Sequence, residues 1–207
     1  MKSPGALRSL LPYLEVAWSG PLVEMGWYRT RASRLAVDTE GRPIPWFTYA
    51  AIAFLESRVL PGVRVFEYGC GFGTLWWAKR AVEVIAVEHD RGWANHIGAQ
   101  LPAHARIAFA RSEDMHSYVG AIGCTGALDV VVVDGEHRAA CASAAAKALS
   151  PRGVIVWDDS QRPEYQSGLR QLAESGFRRI AFAGIAPVSK HLGETSVFYR
   201  DNNLLDI

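Results

Sequence analysis

The chain has 207 residues, 49% of them apolar and 21% charged, which is an ordinary composition for one globular domain. Its 22 basic and 21 acidic residues give a net charge of +1, which argues against a nucleic-acid-binding protein. No apolar run approaches the length of a membrane span or a signal peptide. The three cysteines have no paired spacing, so we expect no disulfide framework or zinc site, and a cytoplasmic location.

Residues 1–60 are rich in aromatic residues and proline. Helices are predicted over 7–18 and 48–59, with two or three in all. This segment is either a lid or substrate-binding cap over the strand ends, or a helical layer on the core or at a dimer interface. We treat 1–60 as a helical cap and 61–207 as the main part of one compact domain. The aromatic residues of this segment are Trp18, Trp27, Tyr28, Trp46, Phe47 and Tyr49.

From residue 62 onward, short β-rich runs alternate with helical segments. Strands are predicted over 63–67, 82–87, 105–110, 128–133, 153–157, 177–183 and 195–199, and helices over 74–80, 91–100, 114–120, 138–149 and 164–175. The run from Val130 to Val133 is typical of a central parallel strand covered on both faces. The pattern predicts a doubly wound, Rossmann-like α/β sheet of seven strands. A loop through Gly184, Pro187 and Gly193 joins the last two strands, so the last strand should be antiparallel.

The first strand leads into a glycine-rich loop that contains Gly69, Gly71 and Gly73. Glycine lets bare backbone approach a ligand, and the following helix can turn its N–H groups toward the same ligand. A dinucleotide fingerprint needs a third glycine three positions after the second, where this chain has Thr74. A carboxylate at Glu67 would also repel a pyrophosphate, whereas it suits a ligand with an ammonium group.

This pattern of an acid, one residue and three alternating glycines resembles motif I of class I S-adenosylmethionine-dependent methyltransferases. The resemblance covers roughly residues 62–200, and the antiparallel edge of the predicted sheet is also characteristic of that family. It implies S-adenosylmethionine as the cofactor, bound by Glu67 and the three glycines. Glu88, at the end of the second strand, would accept hydrogen bonds from the ribose hydroxyls.

The loop after the third strand lies where this family contacts the adenine. The resemblance points to Ser112 and either Glu113 or Asp114, of which we favour Asp114. Asp114 is equally suited to cap the next helix. Asp134, at the end of the fourth strand, is a further candidate for the cofactor site.

Acids also follow the fourth and fifth strands, at Asp134 and at the Asp158–Asp159 pair. Three carboxylates at neighbouring strand ends suit a divalent cation with oxygen ligands, Mg²⁺ or Mn²⁺. The arrangement resembles the metal-dependent macrocin-type sugar O-methyltransferases, which implies that these three aspartates bind the metal and that Glu136 is the base. Where that group has Asp-Gly-Asp-Leu-Tyr, this chain has Asp-Gly-Glu-His-Arg, so His137 is a second candidate base.

The sequence therefore predicts metal-assisted methylation of a small-molecule hydroxyl, on a sugar or another secondary metabolite. A bound metal would lower the pKa of the hydroxyl, and Glu136 or His137 would accept its proton. One alternative is aminopropyl transfer on the same fold, with the acids holding a polyamine without metal. Another is a non-catalytic S-adenosylmethionine-binding protein. The sequence identifies neither the acceptor nor whether the chain forms a homodimer.

Overall fold

The computed structural model describes residues 4–207, with the side chains of 4–9, 11 and 124 left aside. The helices are α1 (Pro4–Ser19), α2 (Pro21–Glu24), α3 (Trp27–Ser33), α4 (Tyr49–Arg58), α5 (Phe72–Ala78), α6 (Arg91–Gly98), α7 (Met115–Gly120), α8 (Arg138–Ala148) and α9 (Gln166–Glu174). The strands are β1 (Val63–Tyr68), β2 (Ala81–Glu88), β3 (Ala105–Phe109), β4 (Leu128–Val133), β5 (Leu149–Asp158), β6 (Arg178–Ile185) and β7 (Leu192–Tyr199).

All seven strands form one sheet in the order β3-β2-β1-β4-β5-β7-β6. The first five strands are parallel, and β7 inserts antiparallel between β5 and β6. The predicted doubly wound sheet and its antiparallel last strand are confirmed. The strand order reverses direction between β1 and β4, which is where ligands bind in open α/β sheets.

The valine run of β4 is buried on both faces, as predicted. Val130 and Val132 pack into the apolar cluster that includes α4 and α5, whereas Val131 and Val133 pack toward α8 and α9. None of the four side chains is accessible to solvent. Each therefore contributes roughly 1.5–3 kcal/mol relative to an exposed side chain, and together they fix the middle of the sheet.

Several boundaries differ from the prediction, most clearly in α5, β5 and the β6–β7 hairpin. Helix α5 begins at Phe72, two residues before the predicted start. Strand β5 begins at Leu149 rather than at residue 153. Leu149 pairs with Leu128, and the register shifts between Leu128 and Val130. Gly184 and Gly193 are not in a loop but pair with each other in a longer β6–β7 hairpin. Cross-strand pairing decides the boundaries of β5, β6 and β7, and local propensity does not record it.

The N-terminal segment contains four helices, one more than the highest number expected, because Pro21–Glu24 forms a separate short helix. Residues 36–59 belong to the same apolar cluster as one face of the sheet. By contrast, the described side chains of α1 from residue 10 onward are exposed, with Trp18 82% accessible. Within residues 4–207, no helix combines the length and apolar character that crossing a membrane requires. The cytoplasmic location and a homodimer stay predictions.

Candidate active site

A cavity of about 700 Å³ lies at the carboxyl ends of β1, β4 and β5. Its volume is in the upper part of the range for small-molecule sites. The glycine loop forms one wall, the N-terminal segment and the β6–β7 turn form the opposite wall, and acidic and basic side chains lie between. The lining includes Arg34, Leu35, Trp46, Thr48, Glu67, Gly69, Cys70, Gly71, Gly73, Trp93, Asp134, Arg138, Asp158, Asp159, Gln161, Arg162, His191, Leu192 and Glu194.

The positions of Gly69 and Gly71 in the loop are occupied by glycine for different reasons. Gly69 has φ of +86°, and a Cβ there would lie 2.9 Å from the backbone oxygen of Asp134. Gly69 is therefore needed for β1 and β4 to approach each other. At Gly71 a Cβ would have no protein atom closer than 3.9 Å, from the ring of Trp93. The fold does not require glycine at Gly71, so its bare backbone is free to accommodate a ligand.

Glu67 is a buried carboxylic acid in the wall of the cavity. The Thr74 hydroxyl donates a short hydrogen bond to it and accepts one from the Gly71 N–H at 2.9 Å. A Cβ on Gly73 would lie 2.9 Å from the carboxyl group, so glycine there makes room for this side chain. Burial raises the pKa of Glu67 to about 8, the Thr74 hydroxyl opposes the rise, and the nearby acids Asp134 and Glu88 increase it.

Glu88 holds the glycine loop against β2. Its carboxylate accepts hydrogen bonds from the backbone N–H groups of Cys70 at 2.9 Å and of His89 and Asp90 at 2.8 Å each. A ribose would have to compete with these donors, and Glu88 is not among the residues that line the cavity. Trp93 on α6 also contacts the glycine loop, because its indole N–H donates to the Cys70 carbonyl at 2.7 Å.

Four other predicted residues also lie outside the cavity lining. Asp114 caps α7 by accepting a hydrogen bond from the Ser117 N–H at 3.0 Å, which is the helix-cap role given above as the alternative to adenine binding. The ring Nε2 of His137 lies 2.6 Å from the Ser112 carbonyl oxygen. Since a carbonyl only accepts, this nitrogen donates its proton to Ser112 and is not free to act as a base in this arrangement. Glu136 is exposed and lies 3.9 Å from the ring of His89.

The three predicted metal ligands do meet in the cavity, but the carboxylates of Asp134 and Asp159 contact arginine side chains. Arg138 contacts Asp134 at 3.0 Å and Asp159 at 3.6 Å, and Arg162 contacts Asp159 at 2.5 Å. Asp158 instead accepts a hydrogen bond from the Thr195 hydroxyl at 2.6 Å. Burial raises the pKa of Asp134 to about 6, against the lowering effect of Arg138. Burial, with Asp134 nearby, raises the pKa of Asp158 well above its usual range.

This arrangement does not fit a divalent metal. A cation that bound Asp134 and Asp159 would have to take the place of a guanidinium that already contacts both. Among the side chains that the structure describes, no group of three or more His, Cys, Asp or Glu residues could hold a metal ion. The predicted Mg²⁺ or Mn²⁺ centre is therefore not supported by the geometry of its own ligands.

The wall opposite the glycine loop is built by contacts between distant segments. Helix α3 holds the β6–β7 turn through three hydrogen bonds: Trp27 to the Ser189 carbonyl at 2.8 Å, Arg31 to the Val188 carbonyl at 2.6 Å, and the Val188 N–H to the Thr30 hydroxyl at 2.8 Å. At the mouth the apolar side chains of Leu35, Trp46 and Leu192 are exposed. The N-terminal segment thus contributes both to the core and to the lining of the cavity, and its role as a cap stays a prediction.

Sequence reasoning missed several residues of this cavity, among them Trp93 and Arg138. Trp93 follows the N-cap of α6 and lies against the glycine loop, which only the packing of α6 on β2 shows. Arg138 stood out only as a departure from a familiar motif. Its spacing of four residues from Asp134, across the start of a helix, is the one signal that could have identified the ion pair.

Comparisons with known proteins agree with this fold. Residues 66–160 match a family model described as a methyltransferase domain. No curated protein sequence matches the chain. A precorrin-6y C5,15-methyltransferase structure from Geobacter metallireducens has 13% identity and a TM-score of 0.58, over 83% of this chain and 96% of that one.

Two further solved structures are similar over most of their length. The precorrin 8W decarboxylase of Methanobacterium thermoautotrophicum has 15% identity and a TM-score of 0.57, over 81% of this chain and 97% of that one. A candidate O-methyltransferase from Klebsiella pneumoniae has 16% identity and a TM-score of 0.56, over 93% of this chain and 96% of that one. At these identities the likeness shows the fold alone.

The matched model and the strand order together show that the chain carries a methyltransferase domain with the class I fold. S-adenosylmethionine is the cofactor that such a domain implies. The resemblance to the macrocin-type subgroup depends on the predicted metal ligands and on the motif around Glu136. Among the described residues these ligands do not form a group that could hold a metal ion, and Glu136 does not line the cavity, so the subgroup is not confirmed.

Proposed function

We propose that this protein transfers a methyl group from S-adenosylmethionine to a hydroxyl of a small molecule, such as a sugar or another secondary metabolite. The observation that carries the proposal is a single cavity with two unlike walls. One wall has the bare backbone of Gly71 and the buried Glu67, which suit a cofactor with an ammonium group. The other has an apolar mouth and polar side chains, which suit a small acceptor.

The residues of the cavity fit the cofactor. The open space at Gly71 lets a ligand contact the backbone, and the Glu67 carboxyl group is held in place by Thr74. Bound S-adenosylmethionine would supply an electrophilic methyl group, which moves from sulfur to the acceptor oxygen while the hydroxyl proton leaves. The protein's part is to align the two reactants and to accept that proton.

The proton acceptor should come from the cavity wall. Asp134 and His191 line the cavity, whereas a role for Glu136 or His137 would require the loop after β4 to move. If His191 is the base, His191→Ala lowers kcat at least about 100-fold and leaves cofactor affinity unchanged. Lys190→Ala is the matched control on the same turn. An unchanged kcat in His191→Ala would exclude His191 and leave the role to a carboxylate of the cavity wall, such as Asp134.

The aminopropyl alternative is less well supported by the same cavity. Holding a polyamine requires carboxylates whose charge is not already compensated. Here Asp134 and Asp159 are paired with Arg138 and Arg162. The cluster therefore has little negative charge to offer a second cation.

The proposal is tested by calorimetric titration with S-adenosylhomocysteine and by methyl transfer from labelled S-adenosylmethionine to a panel of hydroxyl compounds. We expect saturable binding and a rise in melting temperature, since a ligand that binds only the native state stabilises it. Absence of both would contradict the proposal. Binding without transfer to any hydroxyl would favour a non-catalytic binding protein.

A further inference from the structure

The guanidinium of Arg138 lies between the ends of β4 and β5. Its Nε donates to the Gly135 carbonyl at 3.0 Å, and Nη1 donates to the Asp158 carbonyl at 2.6 Å. Nη2 forms an ion pair with Asp134 at 3.0 Å and lies 3.4 Å from the Asp134 carbonyl. The side chain is thus fixed by backbone groups of both strands as well as by carboxylates.

The position of Arg138 follows from the start of α8. His137 has φ of +52°, a left-handed conformation, and α8 begins directly after it. The side chain is 11% exposed, and its guanidinium also lies 5.1 Å from the ring of Tyr165. A planar group with five donors, held on several sides, cannot easily move aside for another ligand.

The charges of the Asp134 and Asp159 carboxylates are already balanced by two guanidinium groups. Arg138 faces Asp134 and Asp159, and Arg162 pairs with Asp159 from the other side. A divalent ion at about 2.1 Å from the carboxylate oxygens would lie next to the Arg138 guanidinium. Repulsion between these two cations in a buried site would be large, because low dielectric strengthens it.

We infer that Arg138 fills the position of a divalent cation, and that this cluster binds no metal in the native protein. The guanidinium holds the ends of β4 and β5 together, as a metal would, and is a positioning residue for the acidic side of the cavity. The assignment of Arg138 to this position depends on geometry alone. The consequence that methyl transfer here needs no metal rests on the proposed function.

The test measures Mn²⁺ binding to the full chain by the electron paramagnetic resonance signal of free Mn²⁺. We expect no binding to the wild type below millimolar Mn²⁺. Arg138→Ala leaves uncompensated carboxylates, so it should bind Mn²⁺ at least tenfold more tightly than the wild type. Adding Asp159→Asn to that variant should abolish the gain. Arg138→Lys keeps the positive charge and should bind no Mn²⁺.

Two further variants complete the test. Arg178→Ala is the matched control, because it also frees an aspartate, Asp201, but on the exposed sheet edge. It should show no gain. Arg138→Gln can still donate to a strand-end carbonyl, so it replaces Arg138→Ala if that variant fails to fold. If neither folds, the wild-type titration decides.

The inference would be overturned by stoichiometric Mn²⁺ binding to the wild type that Asp159→Asn removes. It would also be overturned if folded Arg138→Ala or Arg138→Gln bound no Mn²⁺. S-adenosylhomocysteine binding is measured on the same wild-type sample with and without EDTA. If S-adenosylhomocysteine binds neither with nor without EDTA, the proposed function is contradicted but the assignment of Arg138 is not.

Discussion

Gly69 and Gly71 are both glycines of the same loop, yet only one of them is required by the fold. Gly69 combines a positive φ with a backbone contact to the strand end at Asp134, whereas Gly71 has an extended backbone and open space around it. A glycine that the fold does not need, in the wall of a cavity, supports the proposal that a ligand contacts the backbone there.

The two glycines can be separated by alanine substitution. Gly69→Ala should lower the free energy of unfolding by about 1–3 kcal/mol, because alanine in that conformation is strained. Gly71→Ala should change stability by less than about 0.5 kcal/mol but weaken S-adenosylhomocysteine binding at least about tenfold, equivalent to ~1.4 kcal/mol. Urea denaturation and calorimetry measure the two effects. Unchanged nucleoside affinity in Gly71→Ala would show that no ligand approaches this position.

Glu67 should make the ligand-free protein less stable at alkaline pH. Its pKa of about 8 in the folded state is above the ordinary glutamate value of 4.5. The protonated form is therefore favoured by folding, and this stabilising contribution is complete below pH 4.5 and is lost as the pH rises through about 8. The full effect is on the order of several kcal/mol.

Urea denaturation between pH 5 and pH 9 tests this effect. The wild type should lose more stability over that interval than Glu67→Gln, which has no carboxyl group to ionise. Thr74→Val is a useful companion variant, because it removes the hydroxyl that stabilises the carboxylate. Parallel stability curves for wild type and Glu67→Gln would contradict the prediction.

Among the elements, α3 and the β6–β7 turn form one wall of the cavity together. Val188 in this turn has φ of +64°, which is unfavourable for a β-branched residue. Its N–H and C=O are both bound by α3, through Thr30 and Arg31. The helix thus holds the turn in a conformation that it would not adopt alone.

Thr30→Val should loosen this wall, because it removes the hydroxyl that accepts the Val188 N–H while keeping the shape of the buried side chain. We expect faster amide hydrogen exchange over residues 186–191, with S-adenosylhomocysteine affinity unchanged. Ser33→Ala is the control on the same helix, since its hydroxyl donates to the Arg29 carbonyl and accepts from the Leu35 N–H rather than bonding to the turn. Equal exchange in both variants would mean that α3 does not restrain the turn.

At the scale of the whole molecule, the sheet and residues 36–59 share one core, whereas α1 adds little to it. Ala36, Ile44 and Phe47 are buried against the sheet, and Thr48 is tied to β7 by its N–H donating to the Thr195 hydroxyl at 3.0 Å. The described part of α1 leaves Tyr13 and Trp18 largely exposed. Stability should therefore depend on residues 36–59 and hardly on α1.

Removal of residues 1–19 should shift the melting temperature by less than about 4 °C, which corresponds to roughly 1 kcal/mol for a domain of this size. S-adenosylhomocysteine affinity should stay the same. Removal of residues 1–48 is the contrasting control and should unfold the protein, because it takes away core side chains and Thr48. A large loss of stability on removing only 1–19 would show that α1 packs on a surface in solution.

Much of the fold could be predicted because its signals are local. The valine run, the glycine loop and the alternation of strands and helices each lie within a few neighbouring residues. The sequence also placed Glu67, Gly69, Gly71, Gly73, Asp134, Asp158 and Asp159 around one cavity, since parallel strands end at one edge of a sheet.

The sequence by itself determined the sheet, its glycine loop and the acids at the strand ends, because backbone conformation and burial follow from local residue patterns. Only the tertiary structure decided what those acids contact. Arg138 reaches Asp134 and Asp159 because α8 starts from a left-handed residue, and His137 is directed to the Ser112 carbonyl instead of the cavity. Such choices depend on where distant segments meet, and three carboxylates in a sequence look the same whether a metal or an arginine lies between them.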